Sequence, residues 1–375
     1  MHLKDLSLLN FKNYISAEIR FDEKVNCLVG MNGSGKTNLL DAIYYLAFSK
    51  SFFNPSDVQN IYPEEAFFSL QGSFENDGGE RHSIHCSLKK GHKKVLKYNG
   101  KAYERYADHI GLIPLVMISP IDILLIIEGS ESRRRWMDSI ISQFDKQYLD
   151  KLIKYNKALS QRNSQLKQMS PTSPYQHLEI WDEQLVAYGS YLHGKRAEVM
   201  EMITSHFNEY YQRISAGGEK VDIDYTSQLD GEERFADQLK DSFGKDIRLQ
   251  FTSRGIHKDD LDFRIDGRTV KKYASQGQQK TALMALRLAQ ARLIADEKGS
   301  RPLMLLDDIY DKLDAERMAR FLDILKSPDF GQLFITDTNR EHMESLLGIN
   351  GMGGKFFHVS GGNVESAVGE KISVQ

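Results

Sequence analysis

Gly30-Met31-Asn32-Gly33-Ser34-Gly35-Lys36-Thr37 sits between an apolar run, Val25 to Val29, and a segment in which Leu39, Leu40, Ile43, Leu46 and Ala47 recur with helical spacing. Strand, glycine-rich turn and helix in that order make a phosphate loop. The glycines let successive backbone N–H groups turn toward one point, and the start of the following helix adds partial positive charge. A lysine at position 36 is long enough to reach β- and γ-phosphates, and the Thr37 hydroxyl is a hard oxygen suited to Mg²⁺. Gly30 through Thr37 therefore predict an ATP site, with Mg²⁺ as its companion ion.

Upstream and downstream, the pattern of apolar residues changes in blocks. Residues 2–29 read as strands, with Leu3, Leu6, Leu8, Leu9 and Phe11, then Ala17 to Phe21, then Val25 to Val29. From 66 to 103 an alternation returns (Phe68, Leu70, Gly72, Phe74, then Ile84, Cys86, Leu88), and Asn99-Gly100 after Val95 to Tyr98 is a hairpin turn. An antiparallel sheet added to the first lobe is expected there. Ser132 to Gly217 carries no strand-like run; one helix is expected from Ser132 to Met169, and a second from Gln176 to Ser215 after the break at Pro171 and Pro174. After Lys220, strands are expected at Val221 to Tyr225, Ile247 to Phe251, Leu261 to Ile265, Pro302 to Leu306 and Gln332 to Thr336, with helices at Gln278 to Ala295 and Ala315 to Leu325. The alternation predicts an α/β fold, its sheet covered on both faces. The expected division is an ATPase head from residues 1–130 and 245–375, with 131–244 as an inserted, mainly helical lobe.

Leu303-Met304-Leu305-Leu306-Asp307-Asp308 resembles a Walker B strand, in which Asp307 would hold the Mg²⁺ shell and Asp308 would orient or activate the attacking water. Related ATPases more often carry Glu at the second position, and the shorter aspartate implies slow hydrolysis. Ala274-Ser275-Gln276-Gly277-Gln278-Gln279-Lys280 resembles the ABC signature motif, with Gln276 in place of the usual glycine. The resemblance implies that Ser275, Gly277 and Gln278 meet the γ-phosphate held by a second subunit. ATP would then lie between two heads and drive homodimerisation. Tyr310 to Asp314 stands at the D-loop position, and Thr336-Asp337-Thr338 stands where transporter subunits have a switch histidine, which is absent.

The nucleotide residues come from both ends of the chain around a helical insertion, and this arrangement resembles the chromosome-maintenance branch of ABC ATPases. Within it the chain resembles the RecF family over nearly its whole length. The resemblance rests on Leu8-Leu9-Asn10-Phe11-Lys12-Asn13-Tyr14, on Ser119-Pro120 with Gly129 and Arg133-Arg134-Arg135-Trp136-Met137-Asp138, and on Gly255-Ile256-His257-Lys258-Asp259-Asp260-Leu261, where Ile256 and Lys258 depart from the family pattern. It implies a non-transporting, weak ATPase that binds single-stranded, gapped or junction DNA as an ATP-dependent dimer. The implied partners are RecR, with RecO and RecA, in repair, replication restart and the SOS response. Other readings fit less well: a transporter ABC subunit predicts a switch histidine and a shorter insert, an ATPase serving a nuclease or toxin would need a separate partner protein, and a kinase leaves the signature block unexplained.

Bulk properties narrow the rest. In 375 residues no apolar run approaches a membrane span, and the start Met-His-Leu-Lys-Asp has no export pattern, so a cytoplasmic location without membrane partner is expected. Cys27 and Cys86 are too few for a disulfide framework or a four-cysteine zinc site. A net charge of −3 requires any DNA surface to be a local concentration of positive charge. Candidates are Lys89, Lys90, Lys93, Lys94 and Lys97; Arg133 to Arg135; and Lys151, Lys154, Lys157, Arg162 and Lys167. For each residue singly, an ordinary solvated cation is the favoured reading.

Overall fold

The computed structural model describes residues 1–231, 233–309 and 314–366. Five short strands run parallel in one sheet: β3 (Val25–Val29), β8 (Leu115–Ile118), β12 (Leu303–Leu306), β13 (Leu333–Asp337) and β14 (Lys355–Ser360). The antiparallel β15 (Asn363–Ser366) completes the order β15-β14-β3-β13-β12-β8. Every residue of β3, β8, β12 and β13 is buried, as expected for strands covered on both faces. Against this sheet lies the helix Lys36–Phe48, buried around most of its circumference. A second, antiparallel sheet shares its core: β1 (His2–Phe11), β2 (Tyr14–Arg20), β4 (Phe67–Glu75), β5 (Arg81–Lys89), β6 (Val95–Tyr98) and β7 (Lys101–Ala102), in the order β2-β1-β4-β5-β6-β7. Asn99 and Gly100 form the β6–β7 turn, both with positive φ, as the hairpin signal requires. The architecture is the expected α/β ABC-ATPase head with an added antiparallel sheet.

The chain divides into two compact units, one from Met1–Asp122, Tyr210–Gly217 and Lys280 onward, the other from Ile123–Glu209 and Gly218–Gln279. The second unit therefore extends beyond the expected 131–244 span. The pairing of β9 (Val221–Thr226) with β10 (Asp260–Ile265), and of β10 with β11 (Arg268–Thr269), ties the later segment to the lobe. Its helices include Ser130–Phe144, Lys146–Leu166 and Glu179–Ser215, the last continuing into the first unit.

Two expectations are corrected here. The single helix from Ser132 to Met169 is two helices, because Asp145 leaves helical geometry and its carboxylate caps the next helix by accepting from Tyr148 N–H at 2.8 Å. Ile247 to Phe251, expected as a strand, lies largely in the helix Phe243–Leu249. That helix ends at Gln250 in the left-handed conformation, and a short apolar run does not distinguish strand from helix. The helix Arg340–Ile349 and strands β14 and β15 extend the head past the strand expected to finish it.

Candidate nucleotide-binding site

The loop after β3 is held by close backbone packing. A Cβ on Gly30 would fall 2.1 Å from the Val359 carbonyl oxygen of β14, so no other residue fits there. Gly35 takes φ of 119° at the helix start, and a Cβ on it would meet Asn13 Nδ2 at 2.6 Å and the Tyr14 hydroxyl at 2.8 Å. Those two side chains grip the loop: Asn13 Nδ2 donates to Ser34 O at 3.1 Å, and the Tyr14 hydroxyl donates to Gly35 O at 2.9 Å. Asn38 Nδ2 in turn donates to Asn13 Oδ1 at 2.8 Å. The β1–β2 turn thus sets the loop's shape, a role not read in the sequence because Asn13-Tyr14 lacks any phosphate-loop signature of its own.

Inside the loop several polar groups are buried without a full complement of partners. Lys36 is 4% exposed, and its ammonium donates to the carbonyls of Gly30 at 2.7 Å and Met31 at 3.0 Å. Ser34 Oγ is buried with no hydrogen-bond partner among the described residues. A buried hydroxyl without a partner is costly, and a phosphate oxygen would relieve it. The residues present therefore fit a phosphate chain.

Asp307 closes the loop from the end of β12. Parallel pairing with β8 places its N–H on the Ile118 carbonyl at 2.8 Å. The Thr37 hydroxyl lies 3.0 and 3.1 Å from the two Asp307 carboxylate oxygens, 270 residues away in sequence. Burial pushes the Asp307 carboxyl up to about 6; Asp308 adds to the rise, while hydrogen bonds from Thr336 and Thr37 and the Lys36 charge oppose it. Among the described residues no group of three or more His, Cys, Asp or Glu is placed to hold a metal. Mg²⁺ needs none: a hydroxyl, one carboxylate and phosphate oxygens are the donors it takes in such sites. Thr37 and Asp307 fit that set. Asp308 follows in the left-handed region with φ of 43°. Thr336, at the switch position, has its hydroxyl 2.9 Å from Asp307 Oδ1, and Asp337 lies 3.3 Å from His342 Nδ1 on the next helix.

A cavity of about 560 Å³ lies beside Thr37, lined by Lys12, Asn13, Asn38, Phe53, Gln59 and Tyr62 among others. Lys12 pairs at its edge with the fully buried Asp41, at 2.6 Å. The sequence offers Lys12 and Asn13 only within the block Leu8 to Tyr14 that carries the resemblance, and gives them no role at this cavity, since strand β1 and the loop after the helix meet only in the fold.

Ser275, Gly277 and Gln278 lie in the second unit, at the start of the helix Gln276–Lys298. Ser275 is exposed, and it forms a reciprocal cap with Gln278: Ser275 N–H donates to Gln278 Oε1 at 2.7 Å, and Gln278 N–H to Ser275 Oγ at 3.2 Å. Tyr310 to Leu313 of the D-loop position lie outside the described residues, and Asp314 caps the helix Ala315–Leu325.

The candidate DNA residues separate by burial. Arg162 is fully buried between Asp182 and Asp246, at 2.5 and 2.7 Å, and is removed from any surface. Arg133 binds both Asp260 oxygens at 2.6 and 2.9 Å, and Lys94 pairs with Asp57 at 2.8 Å. Arg134 donates to the Asp259 carbonyl at 2.7 Å, and Arg135 pairs with Glu131 at 2.5 Å on the surface. Lys151 and Lys154 lie over the Tyr191 and Tyr188 rings. Lys89, Lys90, Lys93, Lys157 and Lys167 are exposed, whereas Lys97 is half-buried. No described helix is long and apolar enough to cross a membrane. Cys27 and Cys86 are buried and unbridged, and burial pushes the Cys86 thiol up to about 12.

Fold and loop together define an ABC-type ATPase head, and residues 2–355 match the RecF/RecN/SMC N-terminal domain family. The chain belongs to that family, and within it to the RecF branch. It is 50% identical over 350 residues to the DNA replication and repair protein RecF of Flavobacterium johnsoniae, covering 92% of this chain and 97% of the relative. It is 45% identical to the protein of that name from Bacteroides thetaiotaomicron, over 99% of this chain and all of the relative. A solved structure of the recombination mediator protein RecF with ATP, from the RecFOR pathway, superposes with a TM-score of 0.89 at 31% identity, covering 98% of each chain. An Smc head superposes at 0.59 with 18% identity, a likeness of fold alone.

Proposed function

We propose that this chain is an ATP-dependent DNA-binding protein of recombinational repair and replication restart, dimerising around ATP at single-stranded, gapped or junction DNA. It works in the cytoplasm with RecR and RecO to assist RecA loading, and it supports the SOS response. The observation that carries the reading is the loop itself, in which Lys36, the partnerless Ser34 hydroxyl and the Thr37–Asp307 pair converge in a buried site. The solved RecF–ATP relative supports ATP as the occupant.

On this reading the residues divide the work. The Gly30–Thr37 amides wrap the phosphates, and Lys36 exchanges its two loop carbonyls for phosphate oxygens. Ser34 donates to the same chain. Thr37 and Asp307 hold Mg²⁺, which when bound neutralises charge developing on the β- and γ-oxygens. Asp308 orients the attacking water or takes its proton, and its short side chain keeps turnover slow. The cavity beside Thr37 receives the nucleoside end. In the partner protomer, Ser275, Gly277 and Gln278 offer N–H groups and a hydroxyl at a helix start. The Ser275 oxygen already accepts from Gln278, so its proton is left to donate to the γ-phosphate. Because ATP touches both heads only in the dimer, it stabilises the dimer by linkage, and hydrolysis loosens it from DNA.

The experiment is a light-scattering mass with and without ATP and Mg²⁺, repeated on gapped DNA at low salt. The expected result is an ATP-dependent monomer-to-dimer shift that DNA tightens. Lys36→Ala removes ATP binding, whereas Ser275→Arg spares it and blocks dimerisation. A wild-type monomer under all conditions, with no DNA association, overturns the reading.

A further inference from the structure

We propose that Thr336 is a positioning residue, whose single hydroxyl fixes Asp307 and Asp308 as a geometrically coupled pair. The proposal rests on the reading of these acids as the Mg²⁺ and water partners of ATP. Thr336 is fully buried, near the end of a strand whose preceding residues Leu333, Phe334 and Ile335 are also buried and apolar. Valine is the ordinary occupant of such a position, and a hydroxyl there must be hydrogen-bonded to avoid a desolvation cost. Parallel pairing of Leu306 with Ile335 sets Thr336 beside Asp307.

The hydroxyl is used on both sides. It donates its one proton to Asp307 Oδ1 at 2.9 Å, and its oxygen accepts the N–H of Asp308 at 2.9 Å. Asp308 needs this anchor. Its φ of 43° is left-handed, a conformation that aspartate tolerates better than most residues but that still costs energy and is steadied by a fixed hydrogen bond. The accepted N–H pins the backbone of Asp308 in that turn and so sets where its carboxylate points. The donated proton orients the Asp307 carboxylate, with Asp308 Oδ1 a more distant acceptor at 3.4 Å. Thr37 approaches Asp307 from the phosphate-loop helix, so the carboxylate is held from two strand–helix elements at once.

The test compares Thr336→Ser and Thr336→Val, reading a fluorescent ADP analogue's affinity in EDTA and in Mg²⁺, together with kcat and KM for ATP. Thr336→Ser keeps the hydroxyl and is expected to stay within roughly threefold of wild type in every readout. Thr336→Val keeps the shape and is expected to preserve nucleotide affinity in EDTA. It loses most of the Mg²⁺-dependent gain in affinity, and kcat falls by about 10- to 100-fold with little change in KM, as for loss of one charge-assisted hydrogen bond. Wild-type Mg²⁺ dependence and kcat in Thr336→Val overturn the proposal, and so does equal damage in both variants, which would assign the effect to packing. If the wild type binds no nucleotide, the reading of the whole site fails; if it binds and Thr336→Val behaves like it, only the positioning role does.

Discussion

Two buried charged clusters, one in each unit, are partnered differently. In the second unit Arg196, 2% exposed, donates to Asp259 at 2.7 Å, to Asp138 at 2.8 Å, to the Ile256 carbonyl at 2.8 Å and to the Tyr148 hydroxyl at 3.0 Å. Asp259 is shared further with Tyr225 and Ser227. Every nitrogen of the Arg196 guanidinium has a partner. In the first unit Lys36 and Asp307 are as deeply buried, yet neither has an ion pair among the described residues, and Ser34 Oγ beside them has no partner. At Arg196 the buried charge has all its partners inside the fold, whereas at Lys36 and Asp307 no ion partner is present among the described residues. The His257-Lys258-Asp259-Asp260 run belongs to the first kind: its acids pair with Arg196 and Arg133. His257 accepts from the Tyr155 hydroxyl at 2.9 Å and donates to the Thr252 carbonyl at 2.9 Å.

The contrast gives three stability predictions. The largest effect is expected from Arg196→Met, which strands two carboxylates and should cost about 3–5 kcal/mol. Trp136 and Trp181 both lie in the second unit, so denaturant unfolding followed by tryptophan fluorescence reads that loss directly. An unchanged midpoint would mean that the network is not partnered as described. Next comes pH. Burial lowers His257 to about 4, so the folded state takes up its proton later than the unfolded chain does. Stability of the second unit should therefore fall as pH drops from about 6.5 toward 4, by on the order of 2–3 kcal/mol, and His257→Asn should flatten that slope. The smallest effect has the opposite sign. Asp307 titrates near 6 in the fold, so its ionisation destabilises the nucleotide-free protein as pH rises from about 4 through 6. In EDTA at pH 7.5, Asp307→Asn should raise the thermal midpoint, by an amount on the order of 1–2 kcal/mol, while destroying Mg²⁺-dependent nucleotide binding. Destabilisation instead would erase the distinction between the two clusters.

What the sequence discloses follows the same line between local and distant chemistry. Gly30 to Thr37 and Leu303 to Asp308 are legible because strand, turn and helix are consecutive and each residue type has its reason within a few positions. The capping of the signature helix is legible for the same cause, Ser275 and Gln278 being three residues apart. The contacts of Asn13, Tyr14 and Thr336 are not legible, although the first two stand in the resemblance block and the third at the switch position, because strand pairing and packing bring them to the site. The split of the first long helix at Asp145 was overlooked since an aspartate within a polar helical run looks solvated until it caps. Arg162 illustrates the converse error. In a lysine-rich helix it reads as another surface cation, and only the chain returning at Asp182 and Asp246 reveals that it faces inward.

The order of strands has a consequence for how the protein comes into being. Strand β3, which carries the phosphate loop, pairs on one side with β13 and on the other with β14, and β8 pairs with β12. All three of those partners lie beyond residue 302. During synthesis the loop therefore emerges early and waits, its strand unpaired on both edges, until almost the entire chain has left the ribosome. A nascent or truncated product that stops before β13 has no strand to seat beside the loop and no Thr336 to join the acids. On the proposed reading, nucleotide binding would therefore require the chain through β13 and β14, and a product stopping before them would not join an ATP-dependent dimer.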